Sequence, residues 1–351
     1  MTEVTGTGSY FPASAEADAA RPAMWDMVTR YRVSQMVRVA AALSLAEHCA
    51  RGPVTAAELA AAESFNADAT ARLLRACASV GLVASNGDGS FAGTALLMAL
   101  HRDTPGSMRG FALSLSAPGH WQPWGRLLEA VRDGKAQWPE ALGQTLFEYY
   151  ATAPDEAAAF TDGLLGMTSV AGAEAAKVLD TSGVHSAVDV GGASGSLLHD
   201  LMAVNPSLRG VVFDLEHVGA AAVAAAAAKG LSDRVTVETG DFFEAVPAGA
   251  DLYLLRYVLH DWDDARCVQI LRNCRAAMRP GGRVVVLEMV LGEIGKEPPV
   301  VPSQDLNSFV ISGAGQRSVE QFDELFSAAG LRRAKVSPTR SPMSVIEAIA
   351  G

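Results

Sequence analysis

The sequence predicts an α/β protein: a mostly parallel sheet covered by helices on both faces, preceded by a smaller, mostly helical winged-helix unit. Two patterns and a break between them carry this. From residue 186 onward, short β-branched runs alternate with helical stretches, the rhythm of parallel strands joined by crossover helices. Between residues 53 and 94 the order is helix, helix, hairpin. The break is Asp180-Thr181-Ser182-Gly183, a cluster of turn-forming residues. At 351 residues the chain exceeds the usual size of one compact domain. Three segments are expected: 1–104, winged-helix-like; 105–182, a helical linker with pocket-forming aromatics; and 183–351, the α/β domain.

The opening stretch, MTEVTGTGSYFPASAEADAARP, lacks the basic start and apolar core of a signal peptide and reads as a loose tail. Val33, Met36, Val37, Ala40 and Leu43 then recur at helical spacing on the way to His48. Behind Pro53, Thr55 and Glu58 form a T-x-x-E capping box that opens a short helix. Asn66 caps a second helix with a stripe of Leu73, Cys77 and Val80, closed by Gly81. Asn86-Gly87 and Asp88-Gly89 supply the turn of a small hairpin. Such a unit raises the idea of a DNA-binding repressor, and charge weighs against it. Arg51, Arg72, Arg75 and Arg102 are matched by Glu58, Glu63, Asp68, Asp88 and Asp103, whereas phosphate binding needs a basic footprint. Packing against a second subunit suits the unit better. The stripe around Met24, Val33 and Met36 has no obvious partner within it.

Trp121, Trp124, Trp138, Phe147, Tyr149 and Tyr150 fall among Pro and Gly breaks and are candidates to line an apolar pocket, although each alone is more often core. An Ala-rich run from Asp155 to Leu179 reads as a linker helix. Beyond the break, SAVDV, GVVF, RVTVE, DLYLL and RVVVLE are the strands, with helices near 196–203, 218–229 and 263–278. A formal net charge of -11 argues against nucleic acid as the main partner. No stretch resembles a membrane span. Cys49, Cys77, Cys267 and Cys274 include no CxxC pair, which speaks for buried free thiols in the cytoplasm rather than a zinc cage.

VDVGGASG ends the first strand. A dinucleotide fingerprint would need glycine where Val190 stands, so that match fails. What fits is acid first, Asp189-x-Gly191-x-Ala193-x-Gly195. The glycines let the backbone turn tightly against a ligand, and the acid suits one that carries positive charge. The second strand ends in Asp214, nineteen residues past Gly195, where a carboxylate can accept both ribose hydroxyls. The third leads to TGDFF, setting Asp241 and Phe242 where an adenine edge and face are met. Loop, ribose acid and third acid in register point to S-adenosylmethionine, with S-adenosylhomocysteine as the product. The fourth strand runs into YVLHDWDD, one histidine and three aspartates at the end of a core strand. The neighbours His260 and Asp261 do not easily converge on one ion, and Asp263 and Asp264 suit a helix N-terminus. That weakens a metal site and leaves a general base or a satisfied histidine in a solvated acidic loop, and the ligand loop upstream favours the base.

VDVGGASG, GDFFEAVPAGADLYLLRYVLHDWDD, MRPGGRVVVLE and the winged-helix front together resemble the caffeic-acid and acetylserotonin type of O-methyltransferase, and more narrowly its bacterial branch acting on natural products. The resemblance covers nearly the whole chain and loosens in the first twenty residues and the aromatic middle. It implies a Rossmann-like methyltransferase domain with a seven-stranded sheet, a homodimer interlocked through the N-terminal domain, and no metal. By the same resemblance Gly191 and Gly195 pass the cofactor's methionine part, Asp214 its ribose, and Asp241 with Phe242 its adenine. Arg256 stands where the family has a basic residue near the ribose or adenine, and Trp262 where an aromatic ring flanks the adenine. His260 matches the general base, Asp261 its neighbour near the accepting oxygen, and Glu288 a carboxylate bonded to the histidine. One departure is Gln316, where the family usually carries a second glutamate. Losing that charge bears on how strongly His260 is polarised and on which substrate it serves.

The chemistry asks for such a base. A phenol has a pKa near ~10 and is scarcely ionised at neutral pH. A neutral imidazole within reach can take its proton as the methyl moves. A carboxylate on the other ring nitrogen fixes the tautomer and stabilises the imidazolium. The expected acceptor is an aromatic small molecule with a phenolic hydroxyl. Trp121, Phe147, Phe160, Met167, Asn307 and Phe309 are its candidate pocket walls. Two other readings stand beside this one: a relative that keeps the cofactor but hydroxylates or decarboxylates a polyketide, and a winged-helix regulator that senses S-adenosylmethionine. The presence of His260, Asp261 and Glu288 together favours methyl transfer.

Overall fold

The computed structural model describes residues 14–144 and 146–351, without the side chains of residues 14–17, 146–147, 168–169 and 217. Two compact units follow one another, the first ending at Ala117 and the second running from Pro118 to Gly351. The helices between 118 and 178 therefore cluster with the sheet-bearing unit rather than standing apart from it.

In the first unit, Thr55 Oγ1 accepts from Glu58 N at 3.2 Å while Glu58 Oε2 accepts from Thr55 N at 2.8 Å, closing the capping box over helix Ala56–Glu63. Asn66 Oδ1 accepts from Ala69 N at 2.9 Å and starts helix Ala67–Ser79. The hairpin strands are Val83–Ser85 and Ser90–Gly93. A third strand, Val54–Thr55, pairs with Ser90 and Phe91 and was not anticipated; two residues are too few to show an alternation. Two expectations need correction. Helix Ser14–Thr29 stands in place of a loose tail, its alanines favouring helix, while residues 1–13 lie outside the described residues. The single helix expected from Val33 to His48 is two, Tyr31–Ala42 and Leu45–Ala50, parted where Ser44 takes a left-handed φ of 48°. Side-chain periodicity carries no record of such a kink.

The second unit holds β1 (Ser186–Val190), β2 (Arg209–Asp214), β3 (Val235–Thr239), β4 (Leu252–Arg256), β5 (Arg283–Leu291), β6 (Leu331–Pro338) and β7 (Met343–Ala350). Among the described residues their order across the sheet is β6-β7-β5-β4-β1-β2-β3. All neighbours from β3 to β5 run parallel, and β7 is antiparallel to both β5 and β6. The expected seven strands form this path, and a two-residue strand, Arg317–Ser318, adds an eighth against the end of β5. Alternate residues of each central strand enter opposite cores. Leu252 and Leu254 pack with helices Pro154–Val178, Ser196–Val204 and Glu216–Ala228, whereas Tyr253 and Leu255 pack with Asp264–Ala277 and Val319–Ala328. Two covered faces explain why these strands read as unbroken apolar runs. Cys77, Cys267 and Cys274 are buried free thiols. The sheet grows outward from β1 in both directions, which opens a crevice at the carboxyl ends of β1 and β4.

Candidate active site

β1 gives way to the glycine loop because Gly191 and Gly195 adopt φ of 66° and 74°, a region that L side chains avoid. Space demands glycine as well. A Cβ at Gly195 would lie 2.5 Å from Val212 Cγ2; one at Gly191 would lie 3.0 Å from Val258 Cγ2 and 3.7 Å from Phe242 Cε1. Gly191 thus marks where the loop, the segment after β3 and the turn after β4 converge. Asp214 ties the loop to β2, since its Oδ2 accepts from Ala193 N at 2.8 Å and its Oδ1 from Leu215 N at 2.7 Å. Asp241 Oδ1 accepts from Phe243 N at 2.8 Å. Phe242 and Trp262 come together through Phe243, an unanticipated ring whose centroid is 4.8 Å from each.

At the foot of the loop Asp189 is 1% exposed, and its Oδ2 has no partner among the described residues. Burial pushes the carboxyl up to about 6, against the pull of Arg256. Arg256 lies in the field of Asp189 and of Asp200, and its own pKa is lowered by burial. A Cβ on Gly172 would meet Asp200 Oδ2 at 2.4 Å and stand 3.6 Å from Arg256 Nη1. Arg256 therefore gathers with two acids beneath the loop, whereas the resemblance set it near the ribose or adenine. His199 was also missed: its Nε2, without a partner among the described residues, would be 3.2 Å from a Cβ at Gly195. A His-Asp pair on the helix that leaves the loop was the available signal.

After β4, Tyr257 takes a left-handed φ of 53° and a 3-10 turn, Leu259–Asp261, follows. A positive φ is strained for a bulky residue. Glu288, 1% exposed on β5, holds the turn in place. Its Oε1 accepts from the amides of Val258 at 3.1 Å, Leu259 at 2.9 Å and His260 at 3.3 Å. Its Oε2 lies 3.1 Å from His260 Nδ1. That pairing favours the proton on Nδ1 and leaves Nε2, 3.3 Å from Asp261 Oδ1, as the basic nitrogen. The Tyr257 ring packs edge-on against the imidazole at 4.8 Å, and its hydroxyl donates to Met167 Sδ at 3.5 Å. Burial works against a charged imidazole. The charge and hydrogen bond of Glu288, with Asp261, outweigh it and push the ring up to about 9.

Arg317, which sequence reasoning also missed, clamps this turn by donating to Leu259 O at 2.8 Å and Trp262 O at 2.7 Å. It pairs with Asp264 Oδ1 at 2.9 Å, so Asp264 does more than face solvent at a helix end; Asp263 caps that helix through Arg266 N at 2.9 Å.

The acceptor-side residues divide. Gln316 is 5% exposed, with neither amide atom partnered among the described residues; its backbone N–H donates to Asp305 Oδ1 at 2.7 Å. Met167 reaches the His260 turn through Tyr257. Asn307 Oδ1 is committed to Trp124 Nε1 at 2.8 Å. Phe160 packs on His120 and Tyr150, away from that turn's own ring contacts. Trp121 is 37% exposed and Phe309 half-buried, and the described contacts bring neither to His260. The Phe147 side chain lies outside the described residues. Among the described residues no cluster of three or more His, Cys, Asp or Glu is placed to hold a metal, and no helix is long and apolar enough to cross a membrane.

Over most of its length the chain is similar to known proteins. The O-methyltransferase domain family matches residues 124–332, and the O-methyltransferase dimerisation domain family matches residues 25–102. Phenazine O-methyltransferase PhzM of Lysobacter antibioticus is 36% identical over 322 residues, spanning 92% of this chain and 94% of that protein. The structure of the mitomycin 7-O-methyltransferase MmcR superposes with a TM-score of 0.90 at 32% identity, covering 97% of this chain and 100% of that one. The structure of the O-methyltransferase NcsB1 from neocarzinostatin biosynthesis, in complex with S-adenosylmethionine and 2-hydroxy-5-methyl naphthoic acid, gives 0.78 at 34% identity, covering 91% and 96%.

Proposed function

This chain belongs to the S-adenosylmethionine-dependent O-methyltransferases, and on that premise we propose that it methylates a phenolic hydroxyl of an aromatic small molecule in bacterial secondary metabolism, with His260 as the general base. The carrying observation is the buried Glu288, 3.1 Å from His260 Nδ1, which favours a proton there and leaves Nε2, beside Asp261, as the nitrogen that accepts a proton when the ring is neutral.

The residues present fit the cofactor. A buried carboxylate whose Oδ2 has no partner among the described residues, Asp189, stands under a loop too crowded for side chains and suits a cationic group. Asp214 and Asp241 would hold the ribose and adenine, Gly191 and Gly195 would pass the methionine part, and Phe242 and Trp262 would flank the base. When bound, S-adenosylmethionine supplies an electrophilic methyl group on a sulfonium centre. Everything else falls to the chain: His260 Nε2 accepts the hydroxyl proton, Glu288 stabilises the imidazolium, and Asp261 steadies the ring from its other side. Gln316, buried with neither amide atom partnered among the described residues, would offer the acceptor an uncharged amide where the family usually carries a second glutamate. Holding the nucleophile in line supplies much of the rate.

Incubation with S-adenosylmethionine and a panel of phenolic natural products is expected to give products heavier by one methylene group. Turnover should persist in EDTA, because a sulfonium leaving group needs no Lewis acid. A panel without any mass gain, or activity abolished by EDTA and restored by Mg²⁺, would overturn the reading.

A homodimer built through the first unit is part of the same proposal. Residues 25–102 match a dimerisation domain, and Met24, Trp25, Met27 and Val28 on helix Ser14–Thr29 are each more than half exposed. Large exposed apolar side chains on one helix ask for a cover. Met36, expected to share this face, instead packs partly into the unit's own core. Light scattering at micromolar concentration should report twice the chain mass; a monodisperse active monomer would remove the claim.

A further inference from the structure

Four rings of the second unit close a cycle of contacts. Centroid distances are 5.3 Å for His120–Trp138, 5.8 Å for Trp138–Tyr150, 5.7 Å for Tyr150–Phe160 and 5.1 Å for Phe160–His120. Three of these rings carry heteroatoms. His120 Nδ1, Trp138 Nε1 and Tyr150 Oη are all buried without a partner among the described residues. His120 is 3% and Trp138 2% exposed, so water does not answer them from the surface. Buried polar atoms are paired in the great majority of cases. Three orphans on adjoining rings point to a polar group arriving from outside the fold.

The position suits the acceptor. Helix Val300–Ser312 packs against helix Pro118–Trp124, which carries His120, against helix Trp138–Leu142, and against the Leu259–Asp261 turn. Gln137 N donates to Val310 O at 2.7 Å and Trp124 Nε1 to Asn307 Oδ1 at 2.8 Å, locking this helix to the ring-bearing segment. One helix therefore links the cycle to the His260 turn.

The chemistry of the rings narrows what they can bind. An indole N–H only donates, and a phenol donates or accepts. Burial lowers His120 to about 4, so its ring is neutral near pH 7. A carboxylate is wired into the edge of the group: Glu156 accepts from Tyr149 Oη and Gly119 N at 2.8 and 2.9 Å, and the Tyr149 ring lies 5.8 Å from those of Trp138 and Tyr150. An anionic ligand would meet desolvation and that like charge. We propose that this ring cycle recognises an uncharged carbonyl-type oxygen on the aromatic acceptor, on the part of the molecule remote from the transferred methyl. The proposal rests on the aromatic-acceptor reading above.

Calorimetry on the full chain loaded with S-adenosylhomocysteine tests it with three probes: 2-naphthol, 6-hydroxy-2-naphthoic acid and 6-hydroxy-2-naphthamide. The amide, neutral at pH 7 with its carbonyl opposite the hydroxyl, should bind about tenfold or more tighter than the acid or the naphthol. Trp138→Phe keeps a ring and removes the N–H. It should weaken the amide about tenfold and leave the naphthol and S-adenosylhomocysteine unchanged. If that variant loses S-adenosylhomocysteine through misfolding, Tyr150→Phe is judged by the same criteria. Equal affinity of wild type for all three probes, a preference for the acid, no binding of the amide, or an undiminished amide affinity in the folded variant overturns the proposal. Selective binding without methyl transfer would leave it standing and count against the reaction instead.

Discussion

His260→Ala is expected to lower turnover on a phenolic acceptor by about 10²–10⁴-fold, the usual weight of general-base catalysis. Affinity for S-adenosylhomocysteine should stay within about twofold. The separation follows from how the turn is held. Glu288 Oε1 grips the backbone amides of Val258, Leu259 and His260, and Arg317 grips the carbonyls of Leu259 and Trp262. Removing the imidazole leaves both grips in place, so the loop from Gly191 to Gly195 keeps its shape. Steady-state kinetics and calorimetry on the same preparation check this. Unchanged turnover, or lost product affinity, would end the assignment of His260 as base.

Glu288→Gln should move the acidic limb of the kcat/KM profile down by about two pH units or more. In the wild type the ring is pushed up to about 9, and it must be neutral to accept a proton, so the limb is expected near pH 9. Without the Glu288 charge, burial dominates and the imidazole falls toward or below its ordinary 6.5. Turnover should fall as well, because nothing then stabilises the imidazolium. Stability carries the same signature. A histidine raised from 6.5 to about 9 contributes about 3 kcal/mol that is fully present below pH 6.5 and lost as pH rises through 9. The variant's melting temperature should lack that decline. A limb that stays near 9 in a folded variant would mean that Glu288 does not set the ring's charge.

Much of the site was legible because it is written in local backbone chemistry. Gly191 and Gly195 declare a positive φ and a close approach, and both are found. Asp214 follows from a strand end at a fixed distance, Glu288 from the end of RVVVLE, and the Thr55–Glu58 and Asn66 caps from motifs a few residues long. What failed was conformational detail without a side-chain period. The kink at Ser44 and the strained Tyr257 are backbone choices imposed by neighbours, and the pair Val54–Thr55 is a strand only because a hairpin lies beside it.

By itself the sequence determined the fold class, the family and the glycine loop, and it singled out His260 and Glu288 as the pair proposed for proton transfer, since each rests on residues close in the chain or on a strand–helix rhythm. The tertiary structure decided what surrounds them. Arg317 reaches the His260 turn from fifty-eight residues past Leu259, and Trp124 meets Asn307 across 183 residues. Arg256 joins Asp189 and Asp200 under the loop, and His120, Trp138, Tyr150 and Phe160 close their cycle from four separate helices. No local pattern encodes such meetings. They arise when whole helices pack, and packing is settled by shape and buried area summed over the chain rather than by any one motif.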